Sequence, residues 1–145
     1  MENNSTSSEN IVTDLFDSYQ DTQKEVLQIK LRKTRNTLLI MAVIFFIVDF
    51  LTLSIADALT GATFIYIILY PVIFVGLAFL ALKEPLLAMI IAAVLIAGLW
   101  GYVIYLNGAT AIITGWLVKA VVIYFVIAGF QSAAEANSIR RELKG

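Results

Sequence analysis

The sequence contains no cysteine and no histidine. The first absence excludes disulfides, thiolate nucleophiles and thiolate metal sites. The second removes the commonest general base and the commonest metal ligand. Charge is scarce as well: 14% of the 145 residues are charged and the net charge is −1. No overall field therefore argues for nucleic acid as a partner. Glycine spacing, carboxylate pairs and metal-ligand clusters add nothing specific, so no cofactor, no metal site and no enzymatic activity is expected.

What the sequence has instead is apolar length. Hydrophobic residues make up 60% of the chain and the mean hydropathy is +0.87, whereas soluble domains run nearer half apolar and a quarter charged. The apolar residues gather in four runs: 37–55, 64–82, 86–106 and 111–130. Each matches the ~20 residues that cross ~30 Å of hydrocarbon. Polar residues are nearly absent on every face of these runs, which excludes the amphipathic stripe of a soluble helix. None alternates polar and apolar, which excludes a membrane barrel. The connections between them are short, so sequential neighbours must run antiparallel. The expected fold is an all-α membrane protein, with four transmembrane helices in an up-down-up-down bundle.

Lys and Arg set the expected orientation. Lys24, Lys30, Arg32, Lys33 and Arg35 precede the first run, Lys83 lies between the second and third, and Arg140, Arg141 and Lys144 follow the fourth. All fall on one side, predicted to be cytosolic, most simply at the plasma (inner) membrane. Tyr66, Trp100, Tyr102, Tyr105 and Trp116 lie toward the opposite ends of their runs, like an interfacial belt. Residues 1–36 hold no basic and apolar pair of regions resembling a cleavable signal, Glu2 stands where myristoylation needs glycine, and the first run is expected to serve as a signal-anchor.

Two charges stand inside the runs: Asp49 in the first and Lys119 in the fourth. At mid-bilayer each costs roughly 2.5–3.5 kcal/mol on insertion scales, so such residues tend to have partners. Counted from the basic side, both lie about 17 Å deep, so opposite signs at one level predict a pair. Three roles stay open: a bolt between the first and last helices, part of an ion or proton pathway, or a docking charge for another membrane protein. Asp57 is expected at the outer interface.

Small residues recur every fourth position at Ala93, Ala97 and Gly101 and again at Ala111 and Gly115. Such stripes let helix backbones approach in lipid, within one chain or between chains. Pro71 is expected to kink the second span by releasing the Ile67 carbonyl, as a hinge or a static bend. Pro85 is expected to open the third helix at its first turn.

The flanks are predicted to be cytosolic. Residues 1–8 read as disordered, and about 9–33 as an amphipathic helix with Ile11, Leu15, Tyr19, Thr22, Val26 and Ile29 at helical spacing. Thr6 and Glu9 stand in a capping-box relation. Acidic residues crowd the start of this arm and basic ones its end, which complements the helix dipole. Residues 131–145 continue the fourth helix, either as a packing stripe of Ala133, Ala136, Ile139 and Leu143 or as a solvated stub.

In outline the chain resembles the small multidrug-resistance exporters, which have four short spans and an acidic residue in the first. Asp49 stands in place of their membrane glutamate, the acidic arm is additional, and Lys119 would neutralise a proton-coupling carboxylate. The expected partners are the bilayer and a membrane-protein partner or a second copy. The expected function is a non-enzymatic accessory or scaffold subunit, with a small transporter or channel built on Asp49 and Lys119 as the alternative.

Overall fold

The structure, a computed structural model, describes residues 5–55, 60–108, 110–113 and 115–143, with side chains from Val12 onward except at 62, 63, 66, 111 and 112. All its elements are helices: α1 (Ser5–Ile55), α2 (Gly61–Lys83), α3 (Pro85–Asn107), α4 (Thr110–Ile113) and α5 (Trp116–Glu142). Three of them, α1, α3 and α5, are long and apolar enough to cross a membrane, and α2 is apolar over Ile67–Lys83.

The first difference from expectation is that the arm and the first apolar run are one helix. Neither glycine nor proline occurs before Gly61, so nothing breaks the backbone ladder where the polar arm meets the apolar run. At 51 residues the helix is about 76 Å long. It begins at Ser5, so residues 5–8 are helical rather than disordered. Residues 1–4, the Thr6 and Glu9 side chains and Asp57 lie outside the described residues and side chains.

The second difference lies in the fourth apolar run, which is not one helix over 111–130. Asn107 ends α3, and the Gly108 N–H closes it by donating to the Ile104 carbonyl at 2.8 Å. The short α4 follows, and Gly115 then takes φ +69 before α5 starts at Trp116. That left-handed conformation suits glycine and strains any residue with a Cβ. Gly115 is therefore a turn residue and not part of a packing stripe. At the other side of the fold, α3 opens on Pro85 as expected, where a missing N–H costs nothing.

α1 packs along α2 and α5, and α3 packs along the same two helices. Packing is concentrated toward one end. Leu38, Met41, Ala42 and Phe45 of α1 meet Phe74, Leu77, Ala78 and Ala81 of α2, with Ala88, Met89, Ala92 and Ile96 of α3 and Val122 and Ala133 of α5. The Phe45 and Phe74 rings stack at 5.2 Å. The buried Thr34 and Thr37 hydroxyls donate to the carbonyls of Lys30 and Lys33 in their own helix, so neither needs a partner elsewhere. No described residue of α1 beyond Phe45, of α3 beyond Ile96, or of α5 before Val122 is buried. The helices are tight at the end carrying the α2–α3 turn and open at the other, where Phe50, Thr60, Gly61 and Phe64 line a shallow apolar groove.

Candidate functional site

The tight end is also the basic end, and long side chains lock it. The Arg140 guanidinium donates to the carbonyls of Lys83 and, at 3.3 Å, Leu82. These carbonyls end α2 and have no partner in their own helix. The same guanidinium lies 3.9 Å from the Glu84 carboxylate. Lys30 of α1 forms an ion pair with Glu135 of α5. Ser132, Ala133 and Ala136 are buried, so the end of α5 is a packing stripe and not a solvated stub. Because Lys30 pairs with Glu135 while Thr37 lies against Gly129, α1 and α5 run antiparallel.

Asp49 and Lys119 both belong to the open end. With Thr37 and Gly129 at one level, Asp49 stands about 18 Å and Lys119 about 15 Å further along their helices. Each is half-buried. Yet the ion pairs among the described residues are Lys24–Asp21, Lys30–Glu135 and Arg140–Glu84, and none joins Asp49 to Lys119. Full burial stops at Phe45 on α1 and starts at Val122 on α5, so both charges lie where packing between these two helices thins, although Val118 beside Lys119 still packs on the core. Lys119 is also not in mid-helix: it lies in the first turn of α5, its N–H donating to the Gly115 carbonyl at 3.1 Å. The Thr52 hydroxyl, three residues on from Asp49, donates to the Val48 carbonyl at 2.7 Å.

The small-residue stripes do not make the close contacts within the chain. Ala97 and Gly101 are exposed, a Cβ at Gly101 or Gly115 would meet nothing within 4 Å, and the Ala111 side chain is outside those described. α3 instead turns Ala88, Met89, Ala92 and Ile96 inward. The close approach occurs at Gly129, where a Cβ would stand 2.5 Å from Met89 Cε and 3.2 Å from Thr37 Cγ2. Gly129 has no small partner at fourth-residue spacing on its N-terminal side, since Phe125 stands there. Ala133, one turn on, is the only trace of the motif. Pro71 lies inside α2, which continues through it to Lys83, with the Ile67 side chain buried one turn earlier.

The arm is the remaining candidate. From the level of Gln23 to Leu31 one side of α1 is half-covered: Gln23, Val26, Leu27, Lys30 and Leu31 are intermediate in exposure. Before that the helix projects alone. Val12, Leu15, Phe16 and Tyr19 are each about 60% exposed, as is Ile29 further along. In water such a row of large apolar side chains on one helix marks an interaction surface and not ordinary scatter. Tyr19 accepts a hydrogen bond from Gln23 Nε2 at 3.0 Å. The acidic side of the arm is laced by Lys24 and Asp21 at 3.1 Å. One feature thus has no role in the described packing of this chain: the exposed stripe of the arm.

No protein-family model, curated protein or solved structure matches the chain.

Proposed function

We propose that the chain is a non-enzymatic accessory or scaffold subunit of a membrane assembly. Four transmembrane helices hold it in the plasma (inner) membrane as an up-down-up-down bundle, with both termini in the cytosol. α2 completes the four, since its 23 residues reach about 34 Å and match the bilayer core. The one-sided basic residues and the exposed Tyr102, Tyr105 and Trp116 at the opposite end support the orientation.

One observation carries the reading: α1 passes from the packed core into the arm as a single unbroken helix. A flexible linker would leave the arm's direction undetermined. A continuous helix fixes it, so the exposed stripe is presented at a set place and height above the membrane.

Reporter fusions at Asn36, Lys83 and Gly145 should read cytosolic, and those at Gly61 and Gly108 external. An external signal at Gly145 would mean an odd number of spans and would overturn the topology. The scaffold role is tested by pull-down from native membranes with mass spectrometry, comparing the full chain with one lacking 1–23. Insertion and accumulation should survive the deletion, because burial on α1 begins at Thr34, while co-purifying proteins should be lost. The same set of proteins with and without the arm would refute a presenting role.

A further inference from the structure

We infer that the projecting part of α1 pairs with α1 of a second copy of the chain, parallel and in register, as a two-stranded coiled coil. This pairing rests on the membrane anchoring proposed above and specifies what covers the arm.

The spacing is that of a seam. Val12, Leu15, Tyr19, Thr22, Val26 and Ile29 follow one another in alternating steps of three and four, the 3.5-residue repeat that keeps one stripe facing a partner helix. All but the half-buried Val26 are exposed. Phe16 lies beside the stripe and widens it. Valine at the first position of the heptad with leucine at the fourth, as at Val12 and Leu15, favours two parallel strands. The phase then continues unbroken through Lys33, Asn36, Ile40, Val43, Ile47 and Phe50, and all six are exposed. α1 gives its own chain a different face, through Thr34, Leu38, Met41 and Phe45. From Val12 to Phe50 the packing that builds the monomer therefore leaves the seam exposed, except at the half-buried Val26.

Two considerations select a second copy as the occupant. The first is charge. At 100° per residue, Asp14, Asp17 and Asp21 fall on the side of the helix away from the seam; beside it Phe16, Ser18 and Gln23 are uncharged over the outer half, and Glu25, Lys30 and Arg32 flank the inner half. Over the outer half two copies can meet without like charges facing each other, and a basic helix lying there would find no carboxylate beside the seam; further in, Glu25 of one copy falls opposite Lys30 of the other. The second is geometry. Anchored in one membrane in one orientation, two copies present their arms from the same side and in the same sense, so only a parallel pair can form. A partner must match this phase over a length of about 57 Å from Val12 to Phe50, and an identical α1 does so at every position. Lys33 occupies a seam position where arm meets span, and its long stem lets the ammonium leave the seam for the headgroups. Three heptads alone would pair weakly, but confinement to a membrane raises the effective concentration of the arms.

The chain's lack of cysteine makes the test direct. Leu15→Cys and Tyr19→Cys place single thiols on the seam, and Asp17→Cys places one on the opposite side, each in the full chain in native membranes. All three should react with a maleimide when the membranes are dissolved in denaturant, which confirms equal amounts of thiol. Under mild oxidation the seam thiols should form disulfide-linked dimers at least about tenfold faster than Asp17→Cys, because a disulfide needs Cα atoms about 4.4–6.8 Å apart. Equal linking at all three sites, no dimer from either seam site, or linking of Leu15→Cys to a different protein would each overturn the pairing. A chain that gives no dimer yet loses its co-purifying proteins without residues 1–23 refutes the pairing and leaves the scaffold role standing. The reverse result separates the two in the other direction.

Discussion

Gly129→Ile is expected to destabilise the detergent-solubilised protein by about 1–3 kcal/mol, the usual cost of overfilling a packed site. Gly129 is buried where α5 crosses both α1 and α3, and the first atom of any new side chain meets Met89 Cε at 2.5 Å and Sδ at 2.9 Å, with Thr37 Cγ2 at 3.2 Å. The identity of these neighbours sets the size of the effect. Met89 ends in a flexible thioether that can turn aside, so Gly129→Ala should cost little. Thr37 is β-branched, its hydroxyl already held by the Lys33 carbonyl at 3.0 Å, and it cannot move as easily. A branched side chain at 129 must push against both. Met89→Ala should then recover part of the loss in the double variant although it leaves a cavity by itself, and that non-additivity is the signature of direct contact. Thermal melts of the four proteins provide the measurement. Unchanged melting for Gly129→Ile would show that α5 does not approach α1 and α3 at this point.

The same glycine marks where sequence reading stops. Small residues at fourth-residue spacing point to Ala93, Ala97 and Gly101 and to Ala111 and Gly115, whereas the pair Gly129 and Ala133, which has the same spacing, makes the close approach. The repeat describes two helices that stay in contact over several turns. Here α5 runs along α1 from Thr37–Gly129 to Lys30–Glu135, with Ala133 and Ala136 buried, but a Cβ would clash at Gly129. The extents of the apolar runs were legible because lipid demands length. The expected 64–82 and 86–106 became 61–83 and 85–107, and the first run ended at Ile55 as read. The fourth was misread for a related reason. Gly115 sits between Ile113 and Trp116, and within an apolar stretch its turn-forming capacity is hidden by its hydropathy. The union of arm and span could have been found from the lack of glycine and proline up to residue 60. It was obscured by the change of composition near residue 36, which alters the solvent around the helix and leaves the backbone unaffected.

Asp49 and Lys119 are not among the ion pairs Lys24–Asp21, Lys30–Glu135 and Arg140–Glu84 of the described residues. Equal depth is necessary for Asp49 and Lys119 to meet, but depth is counted along each helix and says nothing of the separation across them. That separation is set by packing, and on α1 and α5 full burial ends below both residues, with only partly buried neighbours such as Val118 continuing the contact.

Phe74→Ala is expected to be the most damaging single truncation, and its contrast with Phe50→Ala measures the asymmetry of the whole fold. Phe74 is 1% exposed and stacks on Phe45 with ring centroids 5.2 Å apart. In a water-soluble core the same change costs about 3–5 kcal/mol, from lost transfer out of water plus the cavity left behind. Helices that separate within a bilayer do not return this ring to water, so the transfer part largely vanishes and the packing part remains. A loss of about 2–3 kcal/mol follows, concentrated in contacts between α1 and α2 that no other ring can replace. Phe50 is one of the exposed rings of the open end, at 40%, and stacks on Phe46 of its own helix at 6.2 Å. Its removal should change stability by less than about 0.5 kcal/mol. Reversible unfolding in mixed micelles, followed by a helix signal, would give both values. Comparable losses at Phe50 and Phe74 would mean that the open end closes in the membrane, bringing Asp49 and Lys119 toward each other, and the asymmetric packing described for α1 and α5 would then have to be withdrawn.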